Sequence, residues 1–138
     1  MIRDAAAAII GLVIAFVLIM AIEKAGHFIY PPPPDLDFSD PDAVRTYIAT
    51  LPLLALLFPM FAWVIGTFSG TLVACSIGTV RPIAFAILVG GLVLAGTVAN
   101  LIVTPHPHWF SVLSLIGIVA SAWLAQRLAP NASSDERA

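Results

Sequence analysis

The stretch that decides the fold runs from Pro52 to Cys75, PLLALLFPMFAWVIGTFSGTLVAC. It contains no charged residue, and none occurs between Arg45 and Arg81. A helix crossing the hydrocarbon core of a bilayer needs about 20 mostly apolar residues, within a range of about 17–25. The stretch is apolar all round. A strand of a membrane barrel would instead alternate apolar and polar residues over about ten positions. A helix also satisfies its own backbone hydrogen bonds, which an isolated strand in lipid does not. The stretch therefore reads as a membrane-spanning helix.

Similar stretches lie on either side. Ala5 to Ile22 has no charge, Ile83 to Val103 has none, and Trp109 to Leu124 is closed by Arg127. The sequence thus predicts an all-α polytopic membrane protein. Residues 1–128 form one bundle of four transmembrane helices (5–22, 52–75, 83–103 and 109–124), followed by a polar cytoplasmic tail, 129–138. Composition agrees: 60% of residues are hydrophobic, 10% are charged, and the mean hydropathy is +1.02. Ordinary soluble domains have about 45–50% apolar and about 25% charged residues. A net charge of −2 supplies no basic field for nucleic acid. The single cysteine, Cys75, rules out an internal disulfide and a cysteine-built zinc site. The first apolar run is longer than the h-region of a signal peptide and no A-x-A-like site follows it, so it reads as a retained span. No lipidation signal is present.

Lys and Arg set the expected orientation. With both termini in the cytoplasm, Arg3, Arg81, Arg127 and Arg137 lie inside, and Lys24 and Arg45 lie outside. The expected location is the inner (plasma) membrane, multi-pass. Residues 23–51 then form an extracytoplasmic loop. Pro31 should stop the helix that leaves span one, and Pro31 to Pro34 should extend as polyproline II. Asp40-Pro41-Asp42 reads as a helix start, with Asp40 as N-cap and Pro41 at the first position. The resulting short helix, Pro41 to Thr50, should lie at the outer interface on Val44, Tyr47, Ile48 and Leu51. The run DLDFSDPD lacks the spacing, the Gly and the terminal Glu of an EF-hand loop.

Each span carries small residues at a spacing of four, which fall on one helix face and allow close approach in lipid. These are Ala7-Gly11-Ala15, Gly66-Gly70-Ala74, Gly91-Ala95-Ala99 and Gly117-Ser121-Ala125. The expected packing positions are therefore Gly11, Gly66, Gly70, Gly91 and Gly117. Beside the second stripe, Thr67, Ser69 and Thr71 either bond their own helix backbone or line a polar path. Pro59 should kink span two. Tyr30, Tyr47, Trp109 and Trp123 suit the two interfaces, whereas Trp63 lies deeper and its indole N–H needs a partner.

No ionisable side chain falls near the middle of a span, which disfavours a proton-coupled carrier. Polar groups gather at the outer rim instead: Glu23, His27, Asn100, His106 and His108. Glu23 and His27, four apart, share a helix face. Three histidines and a glutamate are ligand types that zinc, copper or iron accept. However, H-P-H puts His106 and His108 on opposite sides of an extended segment. The alternatives are an acid–base pair for chemistry on a lipid headgroup, or a helix end and a tight proline turn with no ligand. The last is the preferred expectation, so no cofactor is assigned.

The segments E-x-x-G-H-x-x-Y-P-P-P (Glu23 to Pro33) and T-P-H-P-H-W (Thr104 to Trp109) resemble small bacterial integral-membrane proteins of no known activity. The resemblance implies a four-span inner-membrane protein and transfers no site residue. The chain does not look like a small multidrug resistance transporter, because span one has no glutamate in its middle. The expected function is non-enzymatic helix–helix association, as a homo-oligomer or as an accessory subunit of a membrane complex. A small oligomeric channel or facilitator is the alternative, and an outer-face metal-binding protein or interfacial enzyme is third.

Overall fold

A computed structural model describes residues 1–130. It contains five helices: α1 (Ile2–Ile29), α2 (Pro41–Thr50), α3 (Leu53–Ile77), α4 (Pro82–Val103) and α5 (His108–Leu128). Four of them, α1, α3, α4 and α5, are long and apolar enough to cross a membrane. Within the most apolar window of each, only 28–33% of residues are buried inside the chain. The tail expected at 129–138 falls mostly outside the described residues, as does Arg137.

Local chemistry sets the helix limits. α1 continues past Glu23, Lys24 and His27, as expected of the helix leaving span one toward Tyr30. It ends only where Pro31 restrains Tyr30, whose N–H still reaches the Gly26 carbonyl at 2.8 Å. α2 starts as its sequence dictates: the Asp40 carboxylate accepts from the Asp42 N–H at 2.9 Å and Pro41 opens the helix. Its Val44 and Ile48 are buried in the apolar core. The Asp37 carboxylate caps the Ser39 N–H at 2.8 Å, so the acidic loop uses its side chains locally. α3 runs unbroken through Pro59.

α3 is the centre of the bundle, with α1 against one side and α4 and α5 against the other. The α1–α3 seam is made by small residues. A Cβ added to Gly11 would sit 2.6 Å from the Gly70 carbonyl oxygen, and one added to Gly70 would collide with the Gly11 carbonyl. Gly66 faces the Ala15 carbonyl in the same way, at 2.8 Å. No described glycine has a positive φ, so these glycines provide space rather than an unusual backbone conformation. A Cβ added to Gly117 of α5 would lie 2.8 Å from a Val64 methyl.

α4 departs from the expectation. Gly91, Ala95 and Ala99 are exposed, and a Cβ on Gly91 would meet nothing within 4 Å. The packing position on α4 is Gly90, whose added Cβ would lie 2.7 Å from Ala122 of α5. The buried side of α4 instead follows Ala86, Val89, Gly90, Val93 and Thr97. That row carries the bulkier Val89 and Val93 that fill the core, so the small-residue row turns outward.

The two ends of α1 are tied to its neighbours by polar contacts. At the end carrying residues 1–4, the Asp4 carboxylate accepts from the Thr79 N–H (2.7 Å), the Thr79 hydroxyl (2.8 Å) and the Val80 N–H (3.2 Å). Arg3 donates to the Ile77 carbonyl at 2.7 Å. α1 thereby caps the short α3–α4 connection.

Candidate functional site

The polar residues expected at the outer rim lie at the end of the bundle opposite Asp4. α1 delivers Glu23 at a half-buried position, one face-turn before His27, which is exposed. α4 ends at Asn100 to Val103; the Asn100 side chain is exposed and its carbonyl accepts from the Thr104 N–H at 2.8 Å. Pro105 and Pro107 then hold a turn in which His106 is half-buried. His108 is the first residue of α5 and is exposed.

The structure joins Glu23 to a residue other than the histidines. The Trp63 indole N–H of α3 donates to Glu23 Oε1 at 2.9 Å. A buried indole N–H needs an acceptor, and a carboxylate is the strongest one a side chain offers. The Trp63 ring then meets Phe110 of α5 edge-on, with centroids 5.7 Å apart and planes at 67°. His106 stacks on the same Phe110 ring at 4.6 Å and 13°. Glu23, Trp63, Phe110 and His106 thus form a continuous chain of contacts that ties α1, α3 and the start of α5 together.

His106 Nδ1 lies 2.8 Å from the Thr104 carbonyl oxygen. A carbonyl only accepts, so Nδ1 carries the proton and Nε2 keeps the lone pair in the neutral ring. Burial pushes the His106 pKa below the ordinary histidine value, and the Thr104 hydrogen bond partly opposes this. The ring is therefore held neutral over a wider pH range than a free histidine.

The rim residues do not assemble into a ligand set. Among the described residues, no group of three His, Cys, Asp or Glu side chains is placed to hold a metal ion. His27, Asn100 and His108 face outward, and only Glu23 and His106 join the internal contacts. His106 belongs to the turn and is half-buried, whereas His108 opens α5 and is exposed.

Two positions that tie the helices together escaped the sequence reading. Phe110 looks like any apolar residue of a span, yet it is fully buried and links Trp63 to His106. Asp4 could have been suspected, since an acid beside Arg3 at the start of an apolar helix needs donors. The short Gly78-Thr79-Val80 connection supplies them.

Comparison of the chain with protein-family models, curated proteins and solved structures finds no match.

Proposed function

We propose that this chain is a four-span integral membrane protein that works by helix–helix association, with a second copy or as an accessory subunit, and not by catalysis. The observation that carries the reading is the outward face of α4. Gly91, Ala95 and Ala99 are small, share one face and are exposed, and a Cβ on Gly91 would meet nothing within 4 Å among the described residues. In lipid there is no hydrophobic drive between helices, so association depends on close backbone approach at such residues. Beside this face, Leu94 and Val98 of α4 and Leu115, Val119 and Trp123 of α5 line an apolar groove of about 560 Å³. Large side chains of a neighbouring helix would fit there.

The proposed location is the inner (plasma) membrane with both termini cytoplasmic. Arg3 and Arg81 lie at the end held by Asp4, and Lys24 and Arg45 lie toward the other, which suits the excess of cytoplasmic Lys and Arg. α2 then lies at the outer interface, with Val44 and Ile48 turned toward the bundle.

The test is energy transfer between donor- and acceptor-labelled copies in liposomes, alongside recovery of partners from native membranes. Wild type should self-associate or retain a partner, and Gly91→Ile should abolish that association while the fold stays intact. A wild type that stays monomeric and brings no partner overturns the reading. The buried hydroxyls of Thr67 and Thr71 favour a second reading, a small facilitator for neutral solutes. A flat liposome flux across small neutral solutes removes it.

A further inference from the structure

One row of α3 carries polar tips into the centre of the bundle. Trp63, Thr67, Thr71 and Cys75 recur at a spacing of four and are 5%, 0%, 0% and 1% exposed. At its outer end Trp63 donates to Glu23 of α1 and meets Phe110 of α5, and at the other end Cys75 Sγ donates to the Pro82 carbonyl of α4 at 3.3 Å. A Cβ on Gly90 of α4 would come within 3.9 Å of the Thr67 methyl. From α5, Ser114 is also fully buried.

Most of these polar groups bond within the protein. Thr67 donates to the Trp63 carbonyl at 2.6 Å, and Ser121 of α5 donates to the Ile118 carbonyl at 2.9 Å. This is the usual way a helix satisfies a buried hydroxyl in an apolar setting. Thr71 and Ser114 differ. Their hydroxyl oxygens are buried, have no hydrogen-bond partner in the protein, and are the two such side-chain atoms among the described residues. Buried hydroxyls left unpaired are rare and costly in folded proteins. Each offers one donor and two acceptor positions and carries no charge. The matching ligand is small, neutral, and both donor and acceptor.

We propose that Thr71 and Ser114 are internal binding sites for water, held between α3, α4 and α5. Bound water completes the hydrogen bonding of these hydroxyls, as it does for buried polar groups generally. The sites stand independently of the association reading, because both hydroxyls lie inside a single chain.

The experiment uses the full chain in nanodiscs that hold one copy each, which separates this question from association. A crystallographic or cryo-microscopic map that resolves ordered water should show a molecule within hydrogen-bond distance of Thr71 Oγ1 and of Ser114 Oγ. Thermal unfolding supplies the second readout. Thr71→Val keeps the side-chain shape and removes the hydroxyl, so a hydrated site should lose about 4 °C in Tm. Thr71→Ser keeps the hydroxyl and should retain the water in the map. A dry site behaves oppositely, since removing an unpaired hydroxyl raises Tm. A map in which both hydroxyls turn to carbonyls of their own helices, or a Tm that rises or stays level in Thr71→Val, overturns the proposal.

Discussion

The face of α3 carrying Gly66, Gly70 and Ala74 and the face of α4 carrying Gly91, Ala95 and Ala99 both present small residues at a spacing of four. The first is closed on α1, where backbone carbonyls approach the glycines directly. The second is open. Two things separate them. α3 has a complementary face within the chain, Ala7-Gly11-Ala15, all buried. α1 is also pinned at both ends, by Asp4 on Thr79 and Val80 and by Glu23 on Trp63. The outward face of α4 has no such partner among the described residues. Small-residue spacing therefore marks a surface suited to close packing, and the paired one is the one that meets a complementary small-residue face within the chain.

The comparison can be broken most strongly at the closed seam. Gly70→Leu places a large side chain against the Gly11 carbonyl and should cost about 3 kcal/mol or more. Denaturant titration in detergent micelles reads this as loss of the folded bundle. If the variant is as stable as wild type, the α1–α3 seam is not as drawn. Next comes the latch itself. Trp63→Phe keeps most of the ring packing on Phe110 but removes the donor to Glu23, and should cost about 1–3 kcal/mol. An unchanged unfolding midpoint would show that the hydrogen bond does not hold α1.

The open face is tested with the opposite expectation. Gly91→Ile should change monomer stability by less than about 0.5 kcal/mol, as for an unconstrained surface position. It should weaken association at least about tenfold, because bulk at a small-residue contact separates the helices. Energy transfer at graded protein-to-lipid ratios measures this. A variant that loses stability rather than association would mean the face is already covered within the chain.

The smallest effect concerns pH. Burial holds His106 below the ordinary histidine pKa, so the folded state prefers the neutral ring. Stability from this preference is complete above the unfolded value of about 6.5 and is lost as pH falls through it toward the folded value. Wild type should therefore lose stability through this group as the pH falls below about 6.5. His106→Phe retains a flat ring for stacking on Phe110 and should show a shallower slope. Identical slopes in the two proteins would remove His106 from the pH response.

The legibility of the chain follows the range of the interactions. The start of α2 was readable because Asp40, Pro41 and Asp42 act on their own backbone within a few residues. The end of α1 was readable because Pro31 restrains its immediate neighbour. The need of Trp63 for an acceptor was readable, but its identity was not, since Glu23 lies 40 residues away. The outer histidines invited a metal site. Placing them at one end of a bundle does not bring them together, and among the described residues no three His, Cys, Asp or Glu side chains are placed to hold a metal ion.

The sequence by itself determined the number, length and character of the long helices. Long uncharged apolar runs must satisfy their backbone groups internally, and a helix does this without any partner. Only the tertiary structure decided the rotation of each helix about its axis. A row of small residues is compatible with facing a neighbour or facing outward, and core volume settles the matter. Val89, Val93 and Phe110 turn inward to fill the centre, and the Gly91 row is carried to the outside as a consequence.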